Sequence, residues 1–318
     1  MSIHNFVNLW KNKEQLCILN DRRIKMKRTD LALEEKESIE GNKEITGVVL
    51  EEETMENGKV KISKVEIKDK HGSDVMRKPI GSYITIETKD MDLDSMKQIT
   101  CSQLKKLFGN VKKEKIMVVG LGNREITPDA LGPKVIDQLF VTRHLIREFG
   151  KEFQERNHFL EICALAPGVM AQTGMESREI LQGIINNIIP DVVIVIDALA
   201  ARNVSRVNRT IQITDTGICP GAGVGNNRKA LNKETLGVEV IAIGVPTVVD
   251  AETIVEDRVE ESLLQAGFSD EEVQVFLKEI RFHKEQNMFV TTKDVDEEIN
   301  KMSEIISEAI NQLCCEKV

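Results

Sequence analysis

Tryptophan and tyrosine occur once each, at Trp10 and Tyr83, in a chain of 318 residues whose aromatic share is 4%. So thin an aromatic supply excludes the stacking platforms that hold single-stranded nucleic acid. Positive charge is the minority sign: 43 Lys and Arg against 52 Asp and Glu leave a net charge of −9. A net acidic surface repels phosphate, which argues against direct nucleic-acid binding. No stretch reaches the ~20 apolar residues of a membrane span, so no membrane partner is expected. The opening residues, MSIHNFVNLWKNKEQLCILNDRR, hold no clean apolar core of a secretory signal. The six cysteines (Cys17, Cys101, Cys163, Cys219, Cys314, Cys315) form no C-x-x-C pair and no Cys/His set with zinc-ligand spacing. They read as reduced thiols in a cytoplasmic compartment.

What is present is an ordinary globular composition, with 41% apolar and 30% charged residues, enough for one large core. Residues 1–30 are polar and turn basic at Arg22, Arg23, Lys25, Lys27 and Arg28, which reads as an arm; Met26 is a possible alternative start. Residues 31–110 read as a small β region packed on the core. Ile45 to Leu50 is β-rich, Asn57-Gly58 is a hairpin turn before Val60, Ile62, Val65 and Ile67, and a further strand surrounds Tyr83 to Ile86.

From 111 to 318 apolar runs alternate with amphipathic stretches. Strands are expected at Lys115–Gly120, Leu160–Ala166, Val192–Ile196, Thr210–Thr214 and Val238–Ile243. One helix is expected from Pro133 through Ile146. A second, opened by a Thr173-x-x-Glu176 capping box, ends at Pro190. Three more cover about 251–266, 269–281 and 293–313. This alternation predicts an α/β fold: a mostly parallel or mixed central sheet with helices on both faces. Sites in such folds lie beyond the carboxyl ends of the strands.

Two acids occupy such places. Asp129 lies in the strand-to-helix loop GLGNREITPDALGP, stiffened by Pro128 and Pro133, with Thr127 expected to be extended. Asp197 follows the apolar run Val192 to Ile196, where a charge carries a desolvation cost that needs a reason. Each alone is also explained by a turn or helix cap. Together, two nearby carboxylates hold one proton between them, so one activates water while the other protonates a leaving amine. Asp250, a third acid near a strand end, reads more readily as a cap.

Other motifs carry less. GLGNRE fails the G-x-G-x-x-G fingerprint at Glu125, and PGAGVGNNRK (220–229) does not fit a phosphate-binding P-loop, so no cofactor is expected. That glycine run is either a tight irregular loop or a backbone surface lining a site. His144 reads as a surface residue and Cys163 as an inert thiol in a strand. Cys219 is the thiol to test for reactivity, but no histidine stands near it in sequence, so a Cys–His enzyme is a weak reading.

At these residues the chain resembles the germination protease family of spore-forming bacteria. The strings that carry the resemblance are RTDLALEEKE (28–37), VVGLGNREITPDALGPKV (118–135), VTRHL (141–145), APGVMAQTGMES (166–177), DVVIVIDALAARNVSRVNRTIQITDTGI (191–218), GAGVGNNRKALNKETLG (221–237) and VIAIGVPTVVDAETI (240–254). The resemblance implies an unusual aspartic-type endopeptidase that degrades small acid-soluble spore proteins. It implies a homotetramer in the developing forespore and spore core, with a fold similar to hydrogenase-maturation proteases.

The family's two essential acids match Asp129 and Asp197. The metal-ligand histidine of the hydrogenase-maturation enzymes has no evident match, which favours a metal-free pair. Family substrates are cut after an acid, at sites like Thr-Glu/Ile-Ala-x-Glu, and Arg28-Thr29-Asp30-Leu31-Ala32-Leu33-Glu34 has that pattern. It implies a prosegment, 1–30, removed by self-cleavage between Asp30 and Leu31, leaving 31–318 as one peptidase domain.

The chain departs from the family in a longer arm before RTD, in Cys219 where a histidine is common, and in lacking an insertion after 255 found in bacillus-type members. The rivals are a metal-dependent peptidase using the same acids and a non-catalytic module that binds spore proteins.

Overall fold

A computed structural model describes residues 29–39, 45–55, 58–89, 92–109, 114–221, 229–279 and 288–315. The basic arm with Met26, Asn57 of the expected turn, and 222–228 of the glycine run lie outside them.

The centre of the molecule is a sheet of alternating faces. Strand β4 (Lys115–Gly120) pairs in parallel with β5 (Glu161–Leu165) on one side and with β6 (Val192–Ala201) on the other, and β6 pairs in parallel with β8 (Glu239–Asp250). These strands read as unbroken apolar runs because both faces are covered. Ile116, Val118, Ile194, Ile196 and Ile243 face one core with Met96, Leu104, Leu131, Met302, Ile306 and Ile310. Met117, Val119, Val193 and Val195 face the other with Leu181, Ile185 and Leu236.

The first core is closed by α3 (Leu93–Phe108), α4 (Leu131–Asp137) and α11 (Val295–Cys315). The second is closed by α7 (Ser177–Ile188) and the short α8 (Lys233–Leu236). Each wholly buried Ile or Leu contributes about 1.5–3 kcal/mol relative to an exposed one.

The sheet then turns antiparallel. β7 (Thr210–Thr214) pairs with β8, β3 (Gly81–Thr88) with β7, β2 (Val60–Ile67) with β3, and β1 (Val48–Met55) with β2. The order is β1-β2-β3-β7-β8-β6-β4-β5, with the two-residue β9 (Phe289–Val290) on β8. The N-terminal β region is thus the edge of the one sheet, joined by main-chain hydrogen bonds, and not a small sheet packed on it. Its outer face is covered by α1 (Ala32–Ser38) and α2 (Lys70–Met76), through Ala32, Leu33, Met76 and Tyr83.

Several local expectations change. The single helix from Pro133 to Ile146 is two, α4 and α5 (Arg143–Asn157), because Thr142 leaves the helix to bond both Leu160 O and Ile162 N at the head of β5. Thr173 closes the short α6 (Met170–Thr173), and the capping acid of α7 is Glu179, whose carboxylate accepts from Glu176 N at 3.1 Å. The expected helix at 269–281 forms as α10 (Asp270–Glu279), with Ser269 and Glu272 capping its start. β6 runs on to Ala201 and β8 to Asp250, each longer than the apolar run alone indicates.

Candidate active site

β4 ends at Gly120, so beyond Ile196 the edge of β6 that faced it has no strand beside it; the last link is Leu121 N to Ile196 O, 2.8 Å. The gap is a cleft of about 340 Å³ at the carboxyl ends of the parallel strands. Asp129, Asp197 and Asp30 all line it, with Leu199, Ala200, Thr247, Pro220 and Gly221 among its other walls.

Asp129 is carried by a turn of 3₁₀ helix, Thr127–Asp129, whose Asp129 N–H bonds Ile126 O at 2.8 Å. The extended residue is Ile126 (φ −117°, ψ 104°), not Thr127; Pro128 sits inside the turn, where its fixed φ fits. The half-buried carboxylate accepts from Asn123 N at 2.8 Å. Asn123 Oδ1 in turn accepts from Gln172 Nε2 on α6 at 3.1 Å, and Thr127 Oγ1 donates to Asp296 of α11 at 2.9 Å, so the loop is tied at both flanks.

Gly122 makes the turn sterically feasible. It has φ +112°, and a Cβ there would lie 1.9 Å from Asp129 O. The strand-end position and the proline-stiffened loop pointed to Asp129 but not to Gly122, although G-L-G before a loop acid was the available clue.

Asp197 sits within β6, not after it, so it does not cap a helix. It is 6% exposed, and its Oδ1 accepts from the adjacent Ala198 N at 3.0 Å. Asp250 does cap a helix: it precedes α9 (Ala251–Gln265), and its Oδ1 accepts from Glu252 N at 2.9 Å. His144 is exposed on α5. Cys163 is half-buried in β5, with its thiol pushed up mainly by burial. Cys219 lies at the surface beside the cleft; partial burial of the sulfur pushes its thiol up, against the opposing pull of the Lys78 ammonium.

The segment around Asp30 occupies the free edge of β6. Asp30 N–H donates to Ala200 O, and Ala200 N–H to Asp30 Oδ2, each at 2.9 Å. Lys78 Nζ (2.8 Å) and Gln212 Nε2 (3.3 Å) both donate to the Asp30 carbonyl oxygen. Gln212 Oε1 also accepts from Ala32 N at 2.7 Å, so one amide spans Leu31. Leu31 is wholly buried against Leu199, Ala201, Val207 and Val249.

Three residues after Leu31, Glu34 is 2% exposed and accepts from Arg202 N (2.7 Å) and Asn203 N (3.0 Å), with Arg206 Nη1 at 3.4 Å. Arg206 itself bridges Glu34, Glu37 and Glu87; against the cost of burial, Glu37 and Glu87 hold its guanidinium firmly protonated. Neither Lys78, Gln212 nor Arg206 had a sequence signal, because each comes from an element distant in the chain.

Among the described residues no group of three or more His, Cys, Asp and Glu is placed to hold a metal ion, so the acids of the cleft lack a ready ligand set there. No helix of the described residues is long and apolar enough to cross a membrane.

A model of the germination protease family matches residues 25–267, a span that holds both cleft acids and the Asp30 segment. The chain belongs to that family. It is similar to germination proteases of Clostridium tetani (43% identity, 89% of this chain and 94% of that protein) and Clostridium perfringens strain SM101 (41%, with the same coverage). It is also similar to that of Bacillus velezensis (39% identity, 92% of this chain and 94% of that protein). The family is one of peptidases, so this is a protease. Among solved structures the chain is similar to a [NiFe] hydrogenase maturation protease, HycI, from Thermococcus kodakarensis KOD1. That match has 19% identity, covers 65% of this chain and 98% of that one, and has a TM-score of 0.33.

Proposed function

We propose that the protein is an aspartic-type endopeptidase that degrades small acid-soluble spore proteins during germination, using Asp129 and Asp197 as its acid–base pair. The observation that carries the reading is that one cleft takes Asp129 from the loop after β4 and Asp197 from β6, 68 positions later in the chain. In this reading the ionised carboxylate takes a proton from water, whose oxygen attacks the scissile carbonyl. The protonated one donates its proton to the carbonyl oxygen; as the C–N bond breaks, the first carboxyl gives the proton it took from water to the leaving nitrogen, and the second recovers its own from the hydroxyl as the carbonyl re-forms. The chemistry needs only the two acids, a water molecule and the peptide.

The protein is made as a zymogen in which 1–30 is the prosegment and 31–318 the peptidase domain, cut between Asp30 and Leu31. Support comes from the acid-Leu-Ala-x-Glu pattern and from Asp30 lining the same cleft as the pair. Leu31 is buried, so the bond is reached only when the 29–34 segment lifts from β6. The assembly is a homotetramer of the forespore and spore core, as the family resemblance implies.

Mass spectrometry of the full chain after incubation, beside an Asp129→Asn control, tests the reading. The expected result is a new Leu31 terminus in the wild type alone. Leu31 termini in both samples would remove Asp129 from the chemistry. Substrate binding with no new termini anywhere would favour a binding module.

A further inference from the structure

Cleavage after Asp30 creates a group that the precursor lacks. Water adds across the Asp30–Leu31 bond: its oxygen ends on the Asp30 carbonyl carbon as a carboxylate, both its hydrogens end on the Leu31 nitrogen, and the C–N bond is gone. The products are a carboxylate and a Leu31 ammonium at a residue with no exposed surface in the precursor.

A carboxylate is already in place for that ammonium. Leu31 N–H now donates to Thr29 Oγ1 at 3.0 Å, and Thr29 Oγ1 donates to Glu34 Oε2. The threonine hydroxyl therefore stands between the Leu31 nitrogen and the Glu34 carboxylate, and it lies on the side of the cut that departs. Leu31 directly precedes α1, and Glu34 is its third residue. A glutamate at that position reaches back to the nitrogen three residues earlier.

We propose that Glu34 is the binding site for the chain's own new amino terminus, and that the pair holds the end of β6, and through it Asp197, in the processed enzyme. The inference rests on cleavage between Asp30 and Leu31. The Glu34 carboxylate is fixed to the main chain just past β6 by Arg202 N and Asn203 N. When Asp30 leaves, Ala200 loses both of its hydrogen bonds to that residue. Glu34 then joins the new terminus to the strand that carries Asp197, replacing the neutral hydroxyl of Thr29 with a charged donor, which makes the stronger bond. The other charged groups around it are Arg206, which faces Glu34 directly, Glu37 and Glu87 beyond Arg206, the neighbouring carboxylate of Glu35, and Lys78 on the Asp30 side. Glu34 is a positioning residue, acting through β6.

The full chain is allowed to self-process, and its terminus is read by mass spectrometry. The acetylation rate of the Leu31 amine is then followed against pH by the same method. Burial alone lowers an amine's pKa, whereas a carboxylate partner raises it above the ~7.7–8.0 of a free terminus. The expected value lies above that range in the wild type and falls below it in processed Glu34→Gln. The variant's kcat on a Thr-Glu-Ile-Ala peptide drops at least ten-fold with KM changed less than two-fold, and Glu34→Asp recovers part of the loss. A wild-type amine at or below the free value overturns the pair, and that single measurement decides the matter if Glu34→Gln does not fold. A terminus other than Leu31 overturns the processing reading itself and the pair with it.

Discussion

Gly122 and Asp129 meet so closely that no side chain fits between them. A Cβ on Gly122 would sit 1.9 Å from the Asp129 carbonyl oxygen and 3.1 Å from its Oδ1. The second glycine of the G-L-G run therefore acts as a spacer that lets the acid's turn fold back over the end of β4. Gly120 and Gly132 do the same one layer down, since a Cβ on Gly120 would lie 2.2 Å from Gly132 O.

Gly122→Ala should therefore damage the site more than the fold. The strained φ of +112° costs about 1–3 kcal/mol. The clash is relieved only by moving the Asp129 turn. Thermal unfolding should show a modest fall in midpoint while peptide turnover drops at least 100-fold. Normal turnover in a folded Gly122→Ala protein would mean that Asp129 does not need this position.

Asp197→Asn tests the other half of the pair. The amide keeps the volume of a side chain that is 6% exposed, so the fold should persist. The loss of general acid–base function is worth roughly 10²–10⁴ in rate. Peptide kinetics on the variant, with circular dichroism as the folding control, measure it; turnover within a few-fold of wild type would sink the dyad.

Asp250 separates a structural acid from the proposed pair. Its carboxylate caps α9 through Glu252 N, and Asp250→Ala should cost about 1 kcal/mol of stability. Turnover at temperatures below the unfolding transition should be unchanged. A collapse of activity with stability intact would place Asp250 in the chemistry instead.

Glu35 gives a pH signature. Burial raises its carboxyl above the ordinary value, with Lys78 and Arg77 pulling the other way. A raised acid means that the folded state holds its proton more tightly than the unfolded chain does. The stabilisation is complete below the unfolded value and is lost as pH rises through the folded one. Urea titrations across the mildly acidic range should show stability declining over that window, and Glu35→Gln should flatten the decline. An identical slope in the variant would show that another group is responsible.

The identity of the strands was legible in the sequence where burial on both faces left unbroken apolar runs: Lys115–Gly120 was read to the residue, and Thr210–Thr214 likewise. The ends of β6 and β8 were not, because beyond the apolar run the chain stays extended only through its partner: Ala198↔Val245 and Ala201↔Val249 are pairings between distant segments. Helix α1 escaped notice for a similar reason. Four of its seven residues are charged, and three of those, Glu34, Glu35 and Lys36, are buried against parts of the chain that follow later.

The sequence by itself determined the alternating α/β grammar, the family, and two candidate acids, one in the loop after a strand and one following an apolar strand run, because local periodicity and motif spacing are properties of neighbours along the chain. Only the tertiary structure decided that β1–β3 extend the main sheet, that Asp129, Asp197 and Asp30 line one cleft, and that Glu34 lies one hydroxyl away from the Leu31 nitrogen. The first two are long-range relations set by which strand edges pair. The last follows from the short helix at 32–38 folding back onto the end of β6, which no local pattern encodes.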